Sequence, residues 1–541
     1  MSYKQETYRF DAGALGHLEG LTVSSDNGKP TLRYFGGLPY ALPPLGPYRF
    51  RAPRKLPPCY RYGTRVNPGR FTGGTGICPQ PKSRHPPDAS LLEENCLQLN
   101  IWIPAEEAPK EGWPVFFYIH GGFLQWGNAN WKPAALGRLL DSAFKAIVVL
   151  PSYRLNAFGF LASKELADEA RKNGGEPVGN AGFWDQRAAL EWTYKNISLF
   201  GGNPSNITVG GYSAGSHSTY QQLAYELYHV PDEKAIIKRA VMLSNSPGVQ
   251  PKTLEEQQKQ FDEFTSRLGI SSHLSGEDKL AKLRSIPHQK LVEIQSEMEI
   301  SEFRATSDGV FISEDIIHQI NSGDFANRMK RRGIKLLNGE CRDEHNLYRN
   351  WRIPENSYEA VYKRLCGDYP ERVVSKLMHH YCGGAQSLPS GYKDWPNLFG
   401  HIYADVQVHH LERGFQNTLF KAGLQPGEDV LRYRFDRRLK CVDDTVPVDW
   451  EVTHSTDTPI WFWGTDFAEG LTEQEKKWLK GWNEGFAAFV KGEPANWGPT
   501  KPKEMRRWRS DGETDVWEDD RWEQGLEVWN VVNGDSGKAR L

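Results

Sequence analysis

The sequence predicts an α/β fold, a mostly parallel central sheet covered by helices on both faces, on three observations. Continuous apolar runs such as residues 115–119 and 146–150 have no polar face, which a strand keeps only when both of its faces are covered. Segments with helical spacing separate those runs, as crossovers between parallel strands require. Gly211-Tyr212-Ser213-Ala214-Gly215 stands between a β-branched run and a segment able to form a helix, the setting of a sharp strand-to-helix turn.

Taken in order, residues 8–40 hold short extended runs broken by Gly and Asn, among them 18–23 and 32–35, which read as hairpins at a sheet edge. The Pro-rich stretch beginning at Pro43 reads as a loop packed on the body, because aromatic residues recur through it. Residues 97–103 alternate as a strand, 115–119 lead into His120-Gly121-Gly122, and 146–150 form another buried strand. Residues 185–200 read as a helix, with Ala188, Ala189, Trp192 and Ile197 near helical spacing and Gly201-Gly202 stopping it. A strand over 206–210 leads to the Ser213 turn, and a helix continues over 218–227.

Beyond the turn, 240–243 and 334–337 are further buried strands, and the polar helical region 253–302 between them reads as a lid or cap. Residues 431–435 and 459–463 are expected to supply the last strands. Trp478, Trp482, Phe486 and Phe489 then recur at spacings of three and four, the stripe of a helix facing a core. Neither a repeat nor an inter-domain linker interrupts the chain, so a single domain spanning residues 1–541 is expected.

Composition narrows the functional classes. With 38% hydrophobic residues, 12% aromatics and 18 Trp, a core is affordable and disorder is excluded. A net charge of −2, both signs intermixed, offers no basic face for nucleic acid or anionic lipid, so a small-molecule partner is expected. The first eight residues lack a signal-peptide apolar core and no run is long enough to cross a bilayer, so a soluble, cytoplasmic protein is expected. The seven cysteines are scattered and contain no Cys-x-x-Cys pair, which argues against a zinc ribbon and a disulfide-dense scaffold. No histidine pair has metal-ligand spacing, so neither metal nor cofactor is expected.

A serine hydroxyl is a poor nucleophile at neutral pH and needs an imidazole to take its proton and a carboxylate to orient that imidazole. For a serine on a strand-to-helix turn, the acid and then the histidine follow along the chain. Two downstream loops qualify. One is Asn338-Gly339-Glu340-Cys341-Arg342-Asp343-Glu344-His345, after a strand, and the other is Thr453-His454-Ser455-Thr456-Asp457. Backbone amides for a developing oxyanion are available in His120-Gly121-Gly122-Phe123 and at Ala214. Ser536, in Gly534-Asp535-Ser536-Gly537, resembles the surroundings of another class of nucleophilic serine but stands in a polar tail and is set aside.

These residues, with Phe35-Gly36-Gly37-Leu38-Pro39-Tyr40-Ala41, Glu94-Asn95-Cys96-Leu97, Tyr153-Arg154-Leu155, Asn180-Ala181-Gly182, Asp185-Gln186 and Phe200-Gly201-Gly202-Asn203-Pro204, resemble the type B carboxylesterases of the carboxylesterase/cholinesterase family nearly end to end. The resemblance implies an α/β-hydrolase fold and a serine esterase without cofactor. It implies Ser213 as nucleophile, Glu344 as triad acid with Asp343 the runner-up, and His454 as general base. Its oxyanion donors fall on the amides of Gly122, Phe123 and Ala214. Cys78 and Cys96 match the family's first disulfide, which predicts their proximity.

Departures from the pattern are informative too. Phe123 stands where the family usually has a third glycine, which should narrow the acyl or alcohol space. Tyr212 replaces the family's usual glutamate, and residues 78–96 hold no Trp to seat a choline cation, so a cholinesterase is not expected. Trp126, Trp184 and Tyr212, beside the oxyanion strand and the elbow, are candidates for substrate-pocket walls. An acyltransferase or lactone-forming enzyme on the same triad is the alternative, and a non-catalytic binding protein of neuroligin-like kind is a more distant one.

Overall fold

The computed structural model of the chain describes residues 3–83, 86–175, 177–464 and 470–534. Ser536 lies outside the described residues. The chain gathers into two compact units, Met1–Val209 with Pro251–Glu314, and Gly210–Gln250 with Asp315–Leu541.

In the first unit, β1 (Lys4–Asp11), β2 (His17–Ser24) and β3 (Pro30–Pro39) form an antiparallel meander, as the hairpin reading of residues 8–40 expects. β3 pairs antiparallel with β4 (Gln98–Pro104). β5 (Trp113–Ile119) runs parallel to β6 (Ile147–Pro151), and β4 is antiparallel to β6. Residues 115–119 and all of β6 are buried, which is why their runs carry no polar alternation.

Helix α1 (Ala181–Asn196) starts earlier than its apolar spacing suggests, because Asn180 takes a left-handed conformation ahead of it, at φ 50°. Its last expected turn, Ile197–Phe200, tightens into a 3₁₀ turn before Gly201. Asp185 on α1 receives the Arg154 guanidinium through Nε and Nη2, both at 2.7 Å, and also the Arg154 amide at 3.1 Å.

The polar region 253–302 forms three helices, Leu254–Arg267, Gly276–Ser285 and His288–Glu297. Thr253 and Glu256 open the first with a reciprocal capping box. The residues that follow these helices are tied to the rest of the unit by Asn180, whose side chain donates to Thr306 O at 2.8 Å and accepts from Thr306 N at 3.0 Å.

Strand β7 (Gly202–Tyr212) ends in the second unit at the Ser213 turn. There β8 (Ile237–Leu243), β9 (Lys335–Cys341), β10 (Val430–Phe435) and β11 (Glu504–Trp508) pair in parallel in that order, and β12 (Thr514–Glu518) closes antiparallel on β11. Helix α2 (Ala214–His229) leaves the turn directly. Further helices of this unit are α3 (His410–Lys421), α4 (Glu473–Lys491) and α5 (Trp522–Asn533). Within the expected stripe of α4, Trp482, Phe486 and Phe489 are buried.

One expectation fails here. Residues 459–463 are not a strand: Thr458–Trp461 is a helical turn, with Pro459 in its first positions, where the missing N–H costs nothing. The last strands are instead β11 and β12, whose Glu504, Arg506, Arg507, Asp515 and Glu518 hide the signal of an edge hairpin behind charge.

The second unit also buries an ion network absent from the sequence reading. Arg413 donates to Glu340 at 2.7 Å and to Asp519 at 2.9 Å, Arg432 donates to Asp519 at 2.6 Å, and Arg434 completes Glu340. Charges so deeply buried persist only as mutually satisfied groups.

Candidate active site

The elbow is where strand and helix meet without a loop. Ser213 has φ 57° and ψ −123°, a conformation that costs a bulky residue of order 1–3 kcal/mol and that the flanking β7 and α2 impose. Its amide donates to Leu243 O of β8 at 2.9 Å. Ala214 opens α2, where the first-turn N–H groups have no acceptor within the helix and the macrodipole is positive.

The carboxylate and imidazole come from two loops of the same unit. After β9, Glu344 Oε1 accepts the Cys341 amide at 2.9 Å, which fixes the carboxylate plane, and Glu344 Oε2 lies 2.6 Å from His454 Nδ1. Glu344 is fully buried and His454 is 3% exposed, so the pair is desolvated. With Nδ1 held by Glu344, the remaining nitrogen Nε2 is buried and has no hydrogen-bond partner among the described residues. Ser213 Oγ likewise makes no hydrogen bond among the described residues.

Aromatic rings brace the imidazole, Tyr212 at 5.0 Å and Tyr348 at 5.4 Å between centroids. The Tyr348 hydroxyl is 3.4 Å from Nδ1. Thr453, next to the histidine, accepts the Leu347 amide at 2.9 Å, tying the histidine loop to the carboxylate loop.

Asp343, the runner-up acid, is occupied elsewhere: it accepts Val452 N at 3.1 Å and Arg342 Nε at 2.9 Å. Asp457 accepts Trp461 Nε1 at 3.0 Å, and burial pushes its carboxyl up. His217 bonds Gln221 at 3.3 Å, and His409 bonds Glu340 at 2.6 Å. His409 and His410 are buried packing residues. Among the described residues no group of three or more His, Cys, Asp or Glu is arranged to hold a metal ion.

The glycine loop after β5 belongs to the first unit. Gly122 has φ 111°, and a Cβ there would meet Trp126 O at 2.1 Å, so only glycine fits. Gln125 N and Trp126 N both donate to Gly122 O at 2.9 Å. Phe123 and Leu124 follow with φ 57° and 63°, an uncommon pair of left-handed bulky residues.

That strain is held by residues the sequence did not single out. Asn156 N donates to Leu124 O at 2.7 Å, Gln125 Nε2 donates to Phe303 O at 2.5 Å, and Arg304 Nη1 donates to Phe123 O while its guanidinium lies 5.6 Å from the Phe123 ring centroid. Gln125 and Arg304 carry no motif. Their role exists only once residues 251–314 fold back on the loop.

The remaining candidates are dispersed. Trp126 packs edge-on to Phe123 at 6.2 Å, and Trp184 edge-on to Phe311 at 4.9 Å. The Tyr212 hydroxyl is 2.6 Å from the Ser455 amide, and the side chain is buried. Cys78 and Cys96 are both buried free cysteines, and the Cys78 thiol together with burial pushes the Cys96 thiol up. Among the described residues no helix is long and apolar enough to cross a membrane.

Comparison with known proteins identifies the family and the fold. The model of the carboxylesterase family matches residues 10–526. A carboxylic ester hydrolase of Gibberella moniliformis is 60% identical over 543 aligned residues, covering 99% of each chain. An uncharacterized esterase/lipase of Schizosaccharomyces pombe is 40% identical over 96% of each chain. Among solved structures, Aspergillus niger EstA superposes with a TM-score of 0.75 at 22% identity, over 98% of this chain and 99% of that one, a likeness of fold. The architecture is that of the α/β-hydrolases, a mostly parallel central sheet flanked by helices.

Proposed function

The chain belongs to the carboxylesterase family, and from that membership we propose a serine carboxylic ester hydrolase working through an acyl-enzyme on Ser213. The observation that carries the reading is the His454–Glu344 pair at 2.6 Å, whose outer nitrogen Nε2 has no hydrogen-bond partner among the described residues. Such an imidazole is a base held in one tautomer with its lone pair unspent.

In the proposed reaction Ser213 Oγ attacks the ester carbonyl carbon while His454 Nε2 takes the hydroxyl proton. The C–O bond to the alcohol breaks and the same proton leaves with it. Water then adds to the acyl-enzyme, giving its proton to Nε2, and the acid departs as Ser213 recovers the proton. Glu344 stays ionised throughout and stabilises the imidazolium. The amides of Gly122, Phe123 and Ala214 are assigned to the oxyanion, the term expected to lower the barrier most.

Substrates are assigned to carboxylic esters of small apolar or aromatic molecules, with Phe123, Trp126 and Trp184 as walls. A phenyl ring next to an oxyanion amide is expected to narrow the acyl or alcohol space. The whole of residues 1–541 is assigned to one α/β-hydrolase domain.

The test is steady-state hydrolysis of p-nitrophenyl acetate and butyrate by the purified protein and by Ser213→Ala, with products followed when a primary alcohol is added. Turnover that disappears in the variant, with free acid as the main product, supports hydrolysis. A transesterified ester as the main product moves the assignment to acyl transfer, and a folded protein without turnover moves it to binding.

A further inference from the structure

The residue before the nucleophile is joined by its side chain to the residue after the base. The Ser455 amide donates to the Tyr212 hydroxyl at 2.6 Å, a bond between positions 243 residues apart in the chain. Tyr212 ends β7, so its backbone is fixed by the sheet, and it is directly bonded to Ser213. Ser455 is directly bonded to His454 and has φ 77°, a left-handed conformation that a non-glycine residue keeps only when its surroundings hold it.

The Tyr212 phenol is buried, and a buried hydroxyl both accepts and donates. The Ser455 amide occupies one of its lone pairs. Asp457, two residues further along the same loop, is the charge that acts on the phenol most strongly. Asp457 in turn accepts Trp461 Nε1 at 3.0 Å, and its carbonyl accepts Ile460 N at 2.9 Å. The phenol therefore holds the histidine loop through the Ser455 amide, while its ring lies 5.0 Å from the imidazole centroid.

Glu344 fixes the rotation of the imidazole through Nδ1 but not the position of the backbone that carries it. That position has its own anchors: Thr453 on the near side of His454, bonded to the carboxylate loop, and Ser455 on the far side, bonded to Tyr212. Only the second leads to the strand that bears the nucleophile.

We infer that Tyr212 is a positioning residue, a strut from the nucleophile elbow to the histidine loop that sets the reach of His454 Nε2 towards Ser213. The inference rests on the serine-hydrolase reading above. It removes Tyr212 from the substrate pocket and gives its hydroxyl, rather than its ring face, the functional part.

The experiment is Tyr212→Phe, which keeps the ring and removes one oxygen. With p-nitrophenyl butyrate, kcat falls by about 10- to 100-fold at nearly unchanged KM, since a small misplacement of a catalytic group costs that much while substrate contacts persist. Fluorophosphonate labelling of Ser213 slows by a similar factor, and the pH profile of kcat/KM shifts, which loss of packing alone would not cause.

A wild-type protein that neither labels nor turns over overturns the hydrolase reading itself. An active wild type with a Tyr212→Phe variant unchanged in kcat and pH profile overturns only the strut, as does a variant changed in KM alone. Should Tyr212→Phe fail to fold, 3-fluorotyrosine at position 212 keeps size and hydroxyl but weakens the acceptor. It is expected to lower kcat severalfold, and an unchanged kcat would overturn the strut.

Discussion

Glu344 and His454 meet at 2.6 Å in a fully desolvated contact, with the other Glu344 oxygen anchored on the Cys341 amide at 2.9 Å. Both oxygens of the carboxylate are committed, and the imidazole has one orientation available. Asp343, its neighbour, spends its carboxylate on Val452 and Arg342.

The first prediction separates these two acids. Glu344→Gln keeps the shape but favours the wrong imidazole tautomer, and kcat for p-nitrophenyl butyrate is expected to fall by about 10³- to 10⁴-fold. Asp343→Asn is expected to lower kcat by less than about tenfold, because it touches the loop and not the base. Equal losses in the two variants would reassign the acid.

A second prediction concerns the glycine loop. Arg304 reaches Phe123 O from the segment that follows the polar helices, and Arg304→Ala releases a strained turn rather than a core contact. A fall in kcat of about 10- to 100-fold is expected, with a melting temperature close to that of the parent protein. A large drop in melting temperature with unaltered kcat would make Arg304 a stability residue instead.

The third prediction is thermodynamic. Asp185 receives three hydrogen bonds from Arg154, with the carboxylate fully buried. Asp185→Ala strands the guanidinium, and urea unfolding is expected to show a loss of roughly 3–5 kcal/mol. A loss below about 1 kcal/mol would mean that water reaches the site.

These contacts mark what the sequence could and could not reveal. The buried strands, the strand-to-helix turn at Ser213 and the two loops that meet at Glu344 and His454 were legible because each leaves a local trace: a β-branched run, a glycine-flanked serine, a carboxylate loop after a strand. Residues 459–463 misled because a run of large apolar side chains reads alike in a buried strand and in a buried helical turn, and only Pro459 hinted otherwise. The edge hairpin β11–β12 was hidden by its charged residues, several of them paired across strands, such as Arg507 with Asp515 at 2.7 Å. The grip of Arg304 on Phe123 spans 181 residues and that of Arg413 on Asp519 spans 106, separations at which a single sequence has no pattern to show.

The fourth prediction follows from histidines that burial keeps neutral. His345 is pushed down to about 3 and His410 to about 4, chiefly by desolvation, and His401, stacked on His345 at 4.0 Å, is lowered as well. Charged groups around them include Asp343, Arg349, Asp405, His409, Arg413 and Arg521, and the neighbouring carboxylates do not overcome the cost of burial. Unfolded histidines protonate near pH 6.5, so between that value and about 4 the unfolded chain binds more protons than the native one. Stability is therefore full above about pH 6.5 and is lost as pH falls towards 4. Urea midpoints across pH 4–8 should decline in that window, and a flat profile would contradict the buried neutral cluster.

The most direct measurement of the central claim is peptide mapping by mass spectrometry after a fluorophosphonate reacts with the wild-type protein, beside Ser213→Ala. One stoichiometric adduct is expected on the peptide carrying Ser213, absent from the variant. An adduct elsewhere, or a well-folded wild type that remains unlabelled while its His454–Glu344 pair is intact, would contradict it.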